Sequence, residues 1–416
     1  MNRIQRIKNT YYAINILYNM GIMVFGGTLY LYMKSIHYSY ADINLFLSIF
    51  WIVGFITEIP SGVIADTFGR KKTLISSCVI RSTGLFLLFF DWGNMIFLIL
   101  SAVFTSLGES LRSGTVDSWM IDSIHEEEKD YPFEKVFSNN QVFGTTFSLL
   151  AGYVGAQVLG NIDLSYPVLA GAILLLCPMM VAVFFMKEPA SRKQKQAGAK
   201  AIKNSFHMLA ETMKDGFFFL KKDKGFFLIC LSFLPLSLIV TGPFNQWQLF
   251  FQEGRQSLNT GYILIGVNLF SILGAYFSRK ISALSDNKIY ILIGSTLCNT
   301  LAIIMSVIVH NYLIAISVFF LHVMITASEE IIRYTFLNQN ITNENRSTLL
   351  SFFNTLEAGT TVIALSLNGL ISNLYGIGRA WVAMSVLSIM ISIPVYLIVN
   401  KVLKRHGLAQ EKKIVP

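Results

Sequence analysis

Among the ionisable side chains inside long apolar runs, nine are candidates for chemistry: Glu58, Glu109, Arg112, Asp117, His322, Glu329, Glu330, Arg333 and Glu357. A charged group at the centre of a bilayer costs about 2.5–3.5 kcal/mol on insertion scales, so such residues face a partner or a water-filled cavity. Desolvation raises the pKa of a carboxyl, and taking up and releasing protons is the chemistry a proton carrier needs. Glu357 and Glu58 have no obvious same-helix cation and are the leading candidates for it. Glu109 with Arg112, and Glu329 with Arg333, are spaced to neutralise each other along one helix face, either as functional pairs or as packing locks. His322, Glu329 and Arg333 recur at i, i+7 and i+11 and form one stripe, a path for protons or solute, although a lone histidine also serves as a packing residue. Asn15 and Asn19 stand one turn apart. Asn245, Gln246 and Gln248 cluster around Trp247. Such amides bind a solute or hold helices together, and with Arg112 and Arg333 they are the candidate lining of a substrate cavity.

The elements that position these groups follow from composition. Of 416 residues, 53% are hydrophobic and 14% charged, against about 25% charged in soluble domains. The apolar residues arrive in blocks of roughly twenty, the length of helix that crosses the hydrocarbon core. They lack strand-like alternation, which leaves a helical bundle as the way to satisfy the backbone in lipid. The blocks predict spans at 11–33, 41–65, 73–90, 94–120, 136–160 and 164–186, then at 225–251, 260–281, 288–309, 311–334, 346–372 and 376–400.

Of the 33 Lys and Arg, 27 fall on the side of the two termini, three (Lys34, Arg255 and Arg379) on the other, and Arg81, Arg112 and Arg333 inside spans. By the positive-inside rule both termini are expected in the cytoplasm of a multi-pass plasma-membrane protein. The net charge of +9 is therefore a topology signal and not a nucleic-acid surface. The basic start of the chain precedes no small-residue cleavage site, so the first apolar block is expected to be a retained helix. Cys78, Cys177, Cys230 and Cys298 sit in apolar blocks without metal-ligand spacing, which argues against a disulfide framework or a zinc site. No nucleotide-binding Gly-x-x-x-x-Gly-Lys-Ser/Thr loop occurs, and no nucleophile motif or catalytic domain suggests a membrane enzyme. No cofactor is expected; the energy source would be a proton gradient.

The polar stretch 187–224 reads as a cytoplasmic linker whose second half has helical apolar spacing among lysines, suited to lying on an anionic lipid surface. The two sides of it look like repeats. Glu109-x-x-Arg112 in the fourth span matches Glu330-x-x-Arg333 in the tenth, and Gly144-Thr145-Thr146 in the fifth matches Gly359-Thr360-Thr361 in the eleventh. Parallel six-helix repeats with a solute site near the midplane are a known transporter design.

Between spans two and three the chain reads Gly62-Val63-Ile64-Ala65-Asp66-Thr67-Phe68-Gly69-Arg70-Lys71-Lys72. This resembles the Gly-x-x-x-Asp-x-x-Gly-Arg-Lys/Arg signature of the major facilitator superfamily, and the layout extends the resemblance over essentially the whole chain. It implies an all-α integral membrane fold of twelve transmembrane helices in two pseudo-symmetric six-helix bundles, 1–186 and 225–416. It also implies a cytoplasmic gate latch built from Gly62, Asp66, Gly69, Arg70 and Lys71. The glycines would allow close helix approach and a tight turn, Asp66 would cap a helix end, and Asp122 is the candidate acidic partner of Arg70.

The departures from the pattern concern subtype. Ser278–Asp286, the equivalent loop of the second half, lacks the signature. The span-five segment Gly144–Gly152 lacks the proline of the drug/proton antiporters, and Arg112 sits too near the cytoplasmic end to match their span-four arginine motif. The leading expectation is a monomeric, proton-driven, drug-efflux-like exporter of small amphipathic compounds, in contact with membrane lipids and not with nucleic acid. The alternatives are a proton symporter for a nutrient or metabolite, and a lipid transporter.

Overall fold

The computed structural model describes residues 3–189, 205, 207, 211, 214, 224–254, 257–339 and 346–414. Every regular element among them is helical. In chain order these are α1 (Arg3–Met23), α2 (Leu29–Ser35), α3 (Tyr40–Phe68), α4 (Arg70–Phe89), α5 (Met95–Arg112), α6 (Thr115–His125) and α7 (Glu134–Tyr153). A π-helical turn, Val154–Leu159, and the short helix Gly160–Ile162 continue α7. There follow α8 (Ser165–Leu174), α9 (Leu176–Phe185), α10 (Lys224–Phe233), α11 (Leu236–Gln252), α12 (Thr260–Ser282), α13 (Lys288–Ile308), α14 (Tyr312–Gln339), α15 (Arg346–Tyr375) and α16 (Ile377–Ile414). The expected linker 187–224, with its amphipathic second half, falls mostly outside the described residues.

Ten of these helices or helix pairs are long and apolar enough to cross a membrane. The α1–α2 pair and α15 complete the twelve spans of an all-α integral membrane fold. Four predicted spans are interrupted rather than continuous, the sixth span at Leu175 between α8 and α9. The first starts eight residues earlier than expected, at Arg3, and breaks between Met23 and Leu29. The fourth breaks at Ser113–Gly114, where Gly114 has a left-handed φ of +67°, so α5 ends on Arg112 and α6 starts a new turn. The seventh breaks at Leu234–Pro235, because proline has no N–H to continue the ladder. Helix starts follow local chemistry: Ser39 and Asp42 form a reciprocal capping box on α3, and Asn94 and Asn287 accept from the second residue of α5 and α13.

Contacts divide the chain into two compact units, Met1–Ala210 with Gln252–Ile265, and Glu211–Phe251 with Gly266–Pro416. In the first, α4 and α5 nearly touch backbone to backbone. A Cβ on Gly108 would lie 2.5 Å from the Arg81 Cβ, and one on Gly84 would lie 2.7 Å from Thr105. In the second, Ile229, Phe233, Leu292, Phe336, Phe352 and Tyr396 belong to one apolar core.

Candidate functional site

The family signature is almost wholly helical. α3 runs through Asp66 to Phe68, α4 begins at Arg70, and Gly69 alone makes the turn with φ +101°. The tight-turn role therefore falls to Gly69, where a Cβ would also sit 2.9 Å from Glu188 Oε1, while a Cβ on Gly62 would meet nothing within 4 Å. The close approach expected of Gly62 is absent because its side of α3 is exposed. The first turn of α4 receives no side-chain cap from its N-cap residue. Instead Glu188 Oε1 accepts from Lys71 N at 2.6 Å, placing a carboxylate at the positive end of the helix. Arg70 forms a hydrogen-bonded ion pair with Asp122 and also donates to the Ser118 carbonyl. Lys71 Nζ reaches the Val183 carbonyl at 2.7 Å and Trp119 Nε1 reaches that of Lys187 at 2.7 Å, so the end of α9 and the residues after it brace the pair. Asp66 is exposed.

Deeper in the first unit the charges pair differently from the sequence reading. Glu109 is matched not by Arg112, three residues on, but by Arg81 of α4, because Gly108 lets α4 close onto α5 at that level. Tyr18 of α1 bridges them, accepting from Arg81 Nη1 at 2.6 Å and donating to Glu109 Oε2 at 3.2 Å. Arg112 donates from Nη2 to Asn15 Oδ1 at 2.7 Å and lies 4.1 Å over the Tyr18 ring. Asp117 accepts from the Tyr11 hydroxyl at 2.7 Å. Asn19 faces Gly144 of α7, whose Cβ position is 3.3 Å from Asn19 Nδ2. Glu58 is exposed on α3 and makes no side-chain bond to the described residues.

In the second unit Arg333 is fully engaged. It pairs with Glu329 at 3.1 Å, donates to the Phe233 carbonyl at 2.7 Å and reaches the Tyr396 hydroxyl at 2.9 Å. The Phe233 carbonyl belongs to the end of α10, where a helix leaves acceptors without partners; Arg333 fills that vacancy. Glu329, wholly buried, also accepts from Thr296 at 3.2 Å and Asn299 at 3.3 Å. Asn299 in turn meets His322 Nδ1 at 2.8 Å. His322, Glu329 and Arg333 thus belong to one hydrogen-bonded chain, joined through Asn299 of α13.

Glu330 and Glu357 stand apart from that chain. With Arg333, Tyr334, Phe233 and Phe353 they line a cavity of about 450 Å³, and Glu330 also borders a smaller one of about 80 Å³ with His322, Thr326 and Trp247. Neither carboxyl has an ion-pair partner among the described residues. Gln246 is buried between helices, accepting from Trp381 Nε1 at 3.1 Å and donating to Ser372 at 3.2 Å; Asn245 donates back to the Thr241 carbonyl at 2.8 Å. Gln246 therefore ties α11 to α15 and α16, and its polar atoms are not presented to either cavity. Among the described residues no group of His, Cys, Asp and Glu could hold a metal ion. Residues that sequence reasoning passed over are Arg81, Tyr18, Glu188, Asn299 and Tyr396. The one signal that pointed to any of them is Arg81 as an arginine inside an apolar block.

Helices of this length and apolarity, with ion pairs and cavities among them, are those of a multi-pass membrane protein. The sequence profile of the Major Facilitator Superfamily matches residues 11–365, and the chain belongs to that family of transporters; it is not an enzyme. A relative from Bacillus subtilis (strain 168), described as the uncharacterized MFS-type transporter YxaM, is 26% identical over 255 residues, and the match spans 61% of each chain. Among solved structures, the nucleoside transporter NupG has a TM-score of 0.70 at 14% identity over 96% of this chain and all of that one. A bacterial homologue of the iron transporter ferroportin in an inward-facing state has a TM-score of 0.67 at 13% identity over 95% of this chain and 100% of that one. A POT family transporter in complex with 5-aminolevulinic acid reaches 0.67 at 14% identity over 96% and 99%. At such identities these likenesses carry the fold alone.

Proposed function

We propose that the chain is a proton-coupled exporter of small amphipathic compounds, working by alternating access in the plasma membrane with both termini in the cytoplasm. The supporting observation is the division of acidic groups in the second unit. Arg333 is matched by Glu329, which leaves Glu330 and Glu357 as carboxyls without an ion-pair partner among the described residues, facing a cavity large enough for water and solute. A carboxyl so placed holds its charge poorly when the cavity is dry and readily when it is wet, and opening to one side at a time converts that difference into proton movement. Arg70 with Asp122 is the latch that holds the cytoplasmic side in one of its states, and the 27-to-3 distribution of Lys and Arg supports the orientation.

The test uses inside-out membrane vesicles given proton gradients of either sign and a panel of fluorescent amphipaths of both charges. Export requires uptake into the vesicles when their interior is acidic, and Glu357→Gln should abolish the gradient-driven component. Unchanged transport and pH dependence in Glu357→Gln would remove that residue from coupling. The missing span-five proline at Gly144–Gly152 favours the second reading, proton symport of a nutrient or metabolite; uptake driven by the opposite gradient would select it.

A further inference from the structure

We infer that the small cavity shared by His322 and Glu330 is an ammonium-binding site, which makes the favoured cargo an amphipath with a primary or secondary amine head. The inference rests on the transport reading above and adds to it the charge and hydrogen-bonding character of the substrate.

The first ground is the tautomer of His322. Its Nδ1 meets Asn299 Oδ1 at 2.8 Å, and the Asn299 amide is oriented by its other end, which donates to Glu329 Oε2 at 3.3 Å. Glu329 is the ion-pair partner of Arg333 and therefore a carboxylate, so turning the amide over would set oxygen against oxygen. Oδ1 must accept, and Nδ1 carries the proton. In the neutral ring this leaves Nε2 as a bare acceptor. It has no hydrogen-bond partner among the described residues, although His322 is only 3% exposed. The two ring nitrogens point nearly opposite ways, so with Nδ1 on α13 the Nε2 lone pair is directed away from α13. The cavity of about 80 Å³ that His322 lines is bounded by α11, α12 and α14, with no residue from α13. A buried acceptor facing such a space is completed by a donor.

The second ground is charge. Glu330 lines the same cavity and, on its other side, the larger one with Glu357 and Arg333. With Glu329, three carboxyls share one guanidinium. The Arg333 N–H groups go to Glu329, the Phe233 carbonyl and the Tyr396 hydroxyl, and none goes to Glu330. However the charges are assigned, one guanidinium leaves the group negative, and no lysine or second arginine lines either cavity.

An ammonium answers both vacancies together, opposing the Glu330 charge and donating to His322 Nε2. The Ser271 hydroxyl lines the cavity as a further acceptor, and the rings of Trp247 and Phe319 favour a cation beside them. Glu330 is exposed, whereas His322 and Trp247 are buried, so an entering head meets the carboxylate before the imidazole. Other heads fit less well. A quaternary ammonium would meet the charge and leave Nε2 without a hydrogen. An alcohol would satisfy Nε2 and leave the charge. A carboxylate would oppose Glu330 and bring no donor.

The experiment measures binding of radiolabelled octylamine to the purified full-length protein in phosphatidylcholine nanodiscs, without a proton gradient and with the signal of empty nanodiscs subtracted. Unlabelled octyltrimethylammonium, octanol and octanoate compete as probes of equal chain length. Octylamine should bind saturably. Each competitor should be weaker than unlabelled octylamine by at least about tenfold, the cost of one hydrogen bond to a charged group. Glu330→Gln and His322→Phe should each weaken octylamine by a similar factor. His322→Gln, whose amide can donate to Asn299 and still accept, should recover most of the loss. Glu330 makes no side-chain bond to the described residues, so Glu330→Gln should keep the wild-type unfolding temperature, which separates lost binding from lost folding.

Competition by octyltrimethylammonium or octanoate equal to that of octylamine would overturn the site, as would octylamine binding unchanged in Glu330→Gln or His322→Phe. Proton-driven transport confined to anions, with no saturable octylamine binding, would sink this inference and leave the transporter reading standing. Saturable octylamine binding without proton-driven movement would do the reverse.

Discussion

The side-chain amide of Gln157 donates to the backbone carbonyl of Leu258 at 2.8 Å, and Asn161 accepts from the Leu258 N–H at 3.0 Å. Two amides one turn apart therefore grip both polar groups of a single residue about a hundred positions away. The grip is close because Gly160 and Gly261 carry no Cβ; one added at either would lie 3.1 Å from Leu258 or Gln157. Each hydrogen bond contributes about 0.5–1.5 kcal/mol net, so the double variant Gln157→Ala/Asn161→Ala should shift the local opening equilibrium by roughly tenfold. The measurement is the rate at which a cysteine replacing the buried Leu258 reacts with a membrane-impermeant maleimide in intact cells. A rate equal to that of the intact clamp would show that the contact does not limit opening.

Arg70 and Asp122 invite a double-mutant cycle. Asp122→Asn and Arg70→Gln should each cripple turnover while leaving the protein in the membrane. The double variant should be little worse than either single one, since residues acting as a unit are non-additive. Simple addition of the two losses in vesicle transport would mean that the residues act separately.

Arg333 and Glu357 should separate stability from coupling. Arg333 serves Glu329, the Phe233 carbonyl and Tyr396 at once, and breaking a buried pair of this kind costs about 3–5 kcal/mol. Arg333→Leu should therefore unfold at markedly lower temperature in detergent. Glu357→Gln should unfold at the wild-type temperature and lose its response to a pH gradient. Matching thermal profiles for the two variants would contradict the assignment.

Tyr38, in the turn between α2 and α3, is pushed above the ordinary tyrosine range by burial and then by its hydrogen bond to Asp91. Below pH of about 10 both the folded and unfolded chains keep this proton. Above it the unfolded chain releases the proton first, so stability should fall as pH rises. The unfolding midpoint of wild type should thus drop more between pH 9 and 11 than that of Tyr38→Phe. At neutral pH the variant should be the less stable one, having lost the donor to Asp91.

The spans were legible because their signal is local: about twenty apolar residues identify a membrane helix wherever it ends up. The pairing of Arg70 with Asp122 was also within reach, since the signature singles out one residue and the charge pattern the other. Glu109 shows where such reading stops. Its spacing to Arg112 suits a helical pair, but its partner is on α4, brought there by the absence of a side chain at Gly108. Gln246 fails in the opposite sense: an amide in an apolar helix suits solute binding and helix bridging equally, and only the positions of Trp381 and Ser372 decide between them. The interruptions at Gly114 and Pro235 could be marked as breakers, yet their result, Arg112 as a helix-terminal residue and the Phe233 carbonyl as an acceptor for Arg333, depends on tertiary placement.

Gly69 is the entire connection between α3 and α4. One residue offers two rotatable backbone angles, and here one of them is held in a region that other amino acids resist. Such a joint has almost no slack. A tilt of α3 cannot be absorbed between the two helices and must reach α4 as displacement, much as a crank passes its rotation to a rod. Arg70 stands at the first position beyond the joint, so the Arg70–Asp122 contact registers the attitude of a 29-residue helix within a single side chain's reach.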